Sequence, residues 1–225
     1  MKLNTVRRGT AAAAVLALSL TLAACGEDEE TATSTGGDTT SETDTDNGDE
    51  AADPQAQTFG PACDQVPADG DGSFVGMSDS PVATAASANP LLTQLVGAVG
   101  AVNGLADTLN GAPELTVFAP FDGAFEALDQ EAVAGLVEEA QADESGTDSA
   151  LFTVLANHVV GANLDADAVV GDQDTLAGTT LTIEGDTDGM TVTDGVATAT
   201  VLCGNIPTAN ATVYVIDTVL TAPIS

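Results

Sequence analysis

Beyond its first eight residues, cysteines, one histidine, hydroxyls and carboxylates are the side chains from which this sequence can build chemistry, because its basic residues are Lys2, Arg7 and Arg8. All 35 acidic residues follow Cys25. His158 is the single histidine. A general base or metal ligand needs partners, and no second His, Gly-x-Ser-x-Gly elbow or zinc spacing accompanies it, so it reads as a buried hydrogen-bonding group. Carboxylates are too abundant for any one pair to mark a glycosidase dyad. Glu184-Gly185-Asp186-Thr187-Asp188-Gly189 resembles the start of a calcium loop, but Gly195 stands where that loop requires a terminal Glu. A polar hairpin turn is expected there instead. Asn210-Ala211-Thr212 has the form of a glycosylation sequon and is read as a turn. The sequence thus assigns no catalytic residue, no metal site and no cofactor.

The three cysteines divide by context. Residues 1–24 read as an export signal: Lys2, Arg7 and Arg8, an apolar run from Ala11 to Leu18, then Leu22-Ala23-Ala24 directly before Cys25. The run is too short to span a bilayer. Leu-Ala-Ala-Cys matches the lipobox, in which a diacylglyceryl group is attached to the cysteine sulfur and the chain is cut just before it. Lipidation of Cys25 leaves Cys63 and Cys203 in an exported protein, where they are expected to pair.

Charge narrows the partners. The formal net charge is −32, and no Lys or Arg follows Arg8, so once the export signal is removed no Lys or Arg is left to displace counterions from phosphates. Nucleic acid is excluded as a partner, and so is membrane binding through a basic patch. The membrane is reached only through the anchor on Cys25. Carboxylates without cationic partners must be met by backbone N–H groups, water or ions, and their mutual repulsion is relieved by salt.

Residues 25–58 follow the signal as a Glu, Asp, Thr, Ser and Gly-rich segment too poor in aliphatics to bury a core, and are read as a disordered tether. A coil of roughly thirty residues spans on the order of 30 Å. Residues 59–225 are the right size for one domain. Helices are expected over 81–88, 91–101, 122–128, 129–140 and 148–157, with Asp122, Asp129 and Asp148 as N-caps. Strands are expected at 115–118, ended by Pro120, and at 181–183, 190–192, 197–202 and 213–216. Helices first and mostly antiparallel strands afterwards imply an α+β fold.

Four segments, in order, resemble the fasciclin (FAS1) domain. Thr116-Val117-Phe118-Ala119-Pro120-Phe121-Asp122-Gly123-Ala124-Phe125 is similar to its TVFAPTDAAF signature. Asn157-His158-Val159-Val160 resembles the central Tyr-His motif, Thr175-Leu176-Ala177-Gly178 the TLxG turn, and Thr208 to Leu220 the closing signature. The likeness extends to the single-domain secreted and lipid-anchored fasciclin antigens of mycobacteria, which share the Gly-Met at Gly76-Met77 and the two cysteine positions. The resemblance implies a β-sheet wedge flanked by helices, a Cys63–Cys203 disulfide, and structural roles for Thr116, Phe118, Pro120, His158, Asn210 and Asp217. Two departures bear on function. Asn205-Ile206 stands where animal members carry the Asp-Ile pair linked to integrin binding, and Asn157 replaces the motif tyrosine.

The expectation is a lipid-anchored adhesion or interaction domain on the outer face of a bacterial membrane, also shed or secreted. It engages a cell-surface or cell-wall component or another protein, and it does not catalyse. The alternative is a small-molecule or lipid-binding lipoprotein, which requires an apolar pocket of several hundred Å³. A carboxylate hydrolase is a third reading, requiring two acids facing one cleft.

Overall fold

The computed structural model describes residues 53–222. The export signal, the lipidation of Cys25 and the tether as far as residue 52 lie outside the described residues. Residues 53–58, assigned above to the tether, carry structure: Pro54–Gln57 form a 3-10 turn capped by the Asp53 carboxylate, and the Gln57 carbonyl accepts from Asn205 Nδ2 at 3.0 Å.

Among the described residues, seven α-helices and seven strands follow. Helices α1 (Phe74–Ser78), α2 (Val82–Ala88), α3 (Thr93–Ala101) and α4 (Leu105–Gly111) precede strand β1 (Leu115–Pro120). Helices α5 (Asp122–Glu126), α6 (Gln130–Ala142) and α7 (Ala150–Asn157) come next. The remaining strands are β2 (Val159–Val160), β3 (Gly171–Asp174), β4 (Thr180–Asp186), β5 (Gly189–Thr193), β6 (Thr198–Pro207) and β7 (Ala211–Ile216). They form one sheet in the order β2-β1-β7-β6-β5-β4-β3. Only the β1–β7 pair is parallel. The fold is α+β, as the order of elements implies.

The caps explain where helices start. Asp129 caps α6 as expected, accepting from the Glu131 and Ala132 N–H groups. Asp148 does not cap α7; Ser149 does, accepting from Phe152 N. Asp122 is the first residue of α5, not its cap. Its carboxylate instead reaches across to the start of α3, accepting from Thr93 Oγ1 at 2.5 Å and Gln94 N at 2.8 Å. One free N–H group of a helix end, that of Gln94, is thereby served by a residue distant in sequence, together with the Thr93 hydroxyl.

Side-chain alternation splits the core into two clusters separated by the sheet. Leu115, Ala119, Ala211, Val213 and Val215 of β1 and β7 join the cluster packed under the helices. Phe118, Tyr214 and Ile216 face the other way, toward Leu181, Ile183, Met190, Val192 and Leu220. All six residues of β7 are buried, so it carries apolar residues on both faces in the manner of a covered strand. Phe118 stacks on Tyr214 with ring centroids 5.5 Å apart, and Phe59 meets the same ring edge-on at 6.4 Å.

Candidate functional site

His158 closes α7 and is 2% exposed. Its Nδ1 lies 2.7 Å from the Val154 carbonyl, one helical turn back. Its Nε2 lies 3.0 Å from the Leu220 backbone nitrogen. An amide N–H can only donate, so Nε2 is the bare nitrogen and Nδ1–H donates to Val154. Both ring nitrogens are thus committed in the neutral form. Burial pushes the imidazole pKa down to about 4, against smaller opposing contributions from the Val154 carbonyl and the Asp194 charge. A proton acceptor held in this state is a tie between elements, not a base facing a substrate.

Asn157, where the family carries tyrosine, is fully buried beside it. Its Oδ1 accepts from Thr179 Oγ1, and its Nδ2 lies 3.4 Å from Asp194 Oδ2. Thr179 Oγ1 also lies 2.7 Å from Thr175 Oγ1, the first residue of the TLxG turn. Asp194 accepts from the N–H groups of Val196, Ala197 and Ala222. Burial raises its pKa, but these backbone donors and His158 outweigh that and hold it below the ordinary carboxylate value. Asp194 was not a candidate from sequence. Among so many acids only its three backbone partners distinguish it, and two of these lie within three residues.

The other motif residues are also fastened internally. Thr116 Oγ1 donates to the Ala162 carbonyl and accepts from Leu164 N, pinning the chain after β2 against β1. Phe118 is buried in the second core cluster, and Pro120 ends β1 opposite Ile216. Asn210 accepts from Val82 N, at the start of α2, and donates to the Leu109 and Ala112 carbonyls at the end of α4. Asp217 Oδ1 accepts from Thr200 N at 2.8 Å, and its own N–H donates back to the Thr200 carbonyl.

Cys63 and Cys203 are joined, linking the entrance of the domain to β6. Backbone pairing reinforces the link: Phe59 and Gly204 exchange both N–H···O bonds, and Ala62 N donates to the Leu202 carbonyl. Gly60 sits at φ +115°, where a Cβ would fall 2.4 Å from the Leu202 oxygen, so only glycine allows this approach. Asn205, φ 58°, lies in an irregular stretch of β6, and Ile206 is 1% exposed. Glu184 to Gly189 forms the hairpin between β4 and β5, with Asp186 opposite Gly189. Among the described residues, no three His, Cys, Asp or Glu side chains converge to hold a metal ion, and no helix is long and apolar enough to cross a membrane.

A concave feature among the described residues lies elsewhere. A cavity of about 370 Å³ opens between α2, α3, α4, α7 and the start of the sheet. Val82, Leu95, Val99, Leu109, Phe152 and Leu155 wall it. Small residues create the space: Ala83, Ala86, Gly100, Ala106 and Ala156 line it where longer side chains would fill it. No acidic residue lines it, and the polar groups of Thr84, Ser87, Thr108 and Asn110 do. It is within the range of about 300–1,000 Å³ common to ligand sites. Sequence patterning missed it, since its walls are separate helix faces and one of those helices, α4, was not recognised.

Comparisons with known proteins identify the family. The Fasciclin domain family model matches residues 90–222, which contain all four segments noted in the sequence. The chain is 42% identical over 180 residues to the cell surface glycolipoprotein MPB83 of Mycobacterium bovis, covering 76% of each chain. It is 41% identical over 172 residues to the immunogenic protein MPB70 of the same species, covering 73% of this chain and 82% of that one. A FAS1 domain pair from the insect cell adhesion molecule Fasciclin I aligns with a TM-score of 0.45 and 19% identity, over 60% of this chain and 46% of that one. With a family model that covers more than half of its length, this chain belongs to the fasciclin domain family.

Proposed function

We propose that the chain is an interaction module displayed on the outer face of the cell membrane, held there by lipid on Cys25, and that it binds a surface or wall component without catalysis. The observation that carries this reading is the state of His158. The one imidazole is buried with both nitrogens committed to backbone groups, and the motif residues around it serve to lock helices to strands. The most distinctive side chains therefore build a rigid scaffold, which leaves recognition to the surface. The relative MPB83 is a cell surface glycolipoprotein, which supports the location.

Crosslinking on intact cells tests the proposal, comparing the native chain with a Cys25→Ser variant. The native chain is expected in the membrane fraction, labelled by fatty acid and captured with a surface partner; the variant is expected unlabelled and released. Retention of the unlabelled, correctly processed variant in the membrane would contradict anchoring through Cys25.

A further inference from the structure

We infer that the cavity between α2, α3, α4 and α7 binds one alkyl chain of an uncharged, hydroxyl-bearing lipid, a binding activity separate from whatever surface the domain adheres to. Three observations meet there. The interior is apolar and about 370 Å³ in volume. Taking a methylene as about the size of a water molecule, about 30 Å³, this space holds about twelve carbons of a single chain.

The second observation is charge. No Asp, Glu, Lys or Arg lines it, in a chain of net charge −32 in which no Lys or Arg follows Arg8. His158, which also lines the cavity, is neutral with both nitrogens engaged. A carboxylate or phosphate head group would meet no counter-charge at the mouth and would face a strongly anionic domain. An uncharged head group avoids both penalties.

The third is the chemistry of the rim. Ser87 Oγ already donates to the Thr84 carbonyl at 2.7 Å, and Thr108 Oγ1 to the Gly104 carbonyl at 2.9 Å. Both residues are exposed. Their hydroxyl hydrogens are spent internally, so what they offer a ligand is oxygen lone pairs. Thr84 differs: its Oγ1 accepts from Asn110 Nδ2 at 3.2 Å, which leaves its hydroxyl hydrogen to donate, and this mixed rim suits an alcohol, which both donates and accepts, where a carboxylate only accepts.

The probe is a series of n-alkanols from six to sixteen carbons, displacing the uncharged dye Nile red from the Cys25→Ser chain. Affinity is expected to rise about fourfold per added methylene, to level off near twelve carbons, and to saturate at one ligand per chain. Dodecanoate at pH 8 is expected to bind at least about tenfold more weakly than dodecanol. A Cβ at Gly100 meets nothing within 4 Å, so Gly100→Leu can project into the open space without a clash. It should weaken dodecanol binding at least about tenfold. Gly97→Leu, equally unobstructed and not among the residues that line the cavity, should leave binding unchanged. Melting curves establish that each variant is folded, and Gly100→Ala, with a smaller loss, serves if Gly100→Leu is not. Absence of displacement, affinity that does not depend on chain length, dodecanoate binding as tightly as dodecanol, or wild-type binding by the folded Gly100 variants would each overturn the inference. Loss of cell-surface capture with this binding intact would count against the adhesion reading alone.

Discussion

The Leu220 backbone N–H donates to Nε2 of His158 at 3.0 Å across a separation of 62 residues. This bond fixes the segment after β7 to the end of α7, and it works only while Nε2 is unprotonated.

A measurable titration follows. The imidazole pKa is held down at about 4 by burial, against about 6.5 in an unfolded chain. Between these values the unfolded state binds the proton and the folded state does not. This group's contribution therefore favours folding less and less as pH falls from about 6.5 to about 4, by roughly 3 kcal/mol in all, and changes no further below that. With a single histidine, one set of imidazole resonances reports it. NMR titration should place the midpoint near 4 and show the Nδ1–H tautomer at neutral pH; a midpoint near 6.5 would mean that the ring is solvated.

Asn210 joins three elements through one side chain, capping α2 and satisfying two carbonyls at the end of α4. Asn210→Ala removes three hydrogen bonds and is expected to cost about 2–4 kcal/mol. Asn210→Asp keeps the acceptor but sets a carboxylate oxygen against the Leu109 and Ala112 carbonyls, so it should rescue little. Denaturant unfolding of both variants checks this, and full recovery by Asp would show that the cap alone matters.

The Cys63–Cys203 link closes a loop of 140 residues. In the chain-entropy model such a closure stabilises the fold by about 5 kcal/mol, lessened by any strain in the native state. A non-reduced digest should yield the linked peptides, and reduction should lower the melting temperature. Free alkylation of both thiols in protein purified without reductant would contradict the link.

Carboxylates without Lys or Arg partners imply a salt response. The melting temperature should rise across a sodium chloride series by more than in a neutral osmolyte of equal osmolality, as the Debye length shortens from about 10 Å to about 3 Å. A flat profile would mean that the acids are too dispersed to repel.

How far the sequence discloses this fold depends on whether the information is local. Asp129 is legible as a cap because its partners lie two and three residues on. Asp122 looks the same in sequence, yet its carboxylate serves α3, a contact set by packing. The alternating strands β4 to β7 are visible, whereas β3 reads Gly-Asp-Gln-Asp and exists because β4 pairs with it along the sheet edge. Helix α4 is hard to read because its 7 residues offer one buried i, i+4 pair, Leu105 and Leu109, and no side-chain N-cap marks its start. The structural standing of His158 could be argued from its isolation. The tautomer that defines it could not, since Leu220 arrives from far along the chain. The cavity is least legible of all, being made by small side chains on several helices.

The central claim, binding without catalysis, is tested most directly by adsorption of the Cys25→Ser chain to whole cells and isolated walls, run beside a screen on ester and glycoside substrates. The account predicts saturable adsorption, competed by unlabelled protein, and no turnover above buffer. Absence of saturable adsorption, together with turnover that vanishes when one carboxylate is replaced, would contradict it.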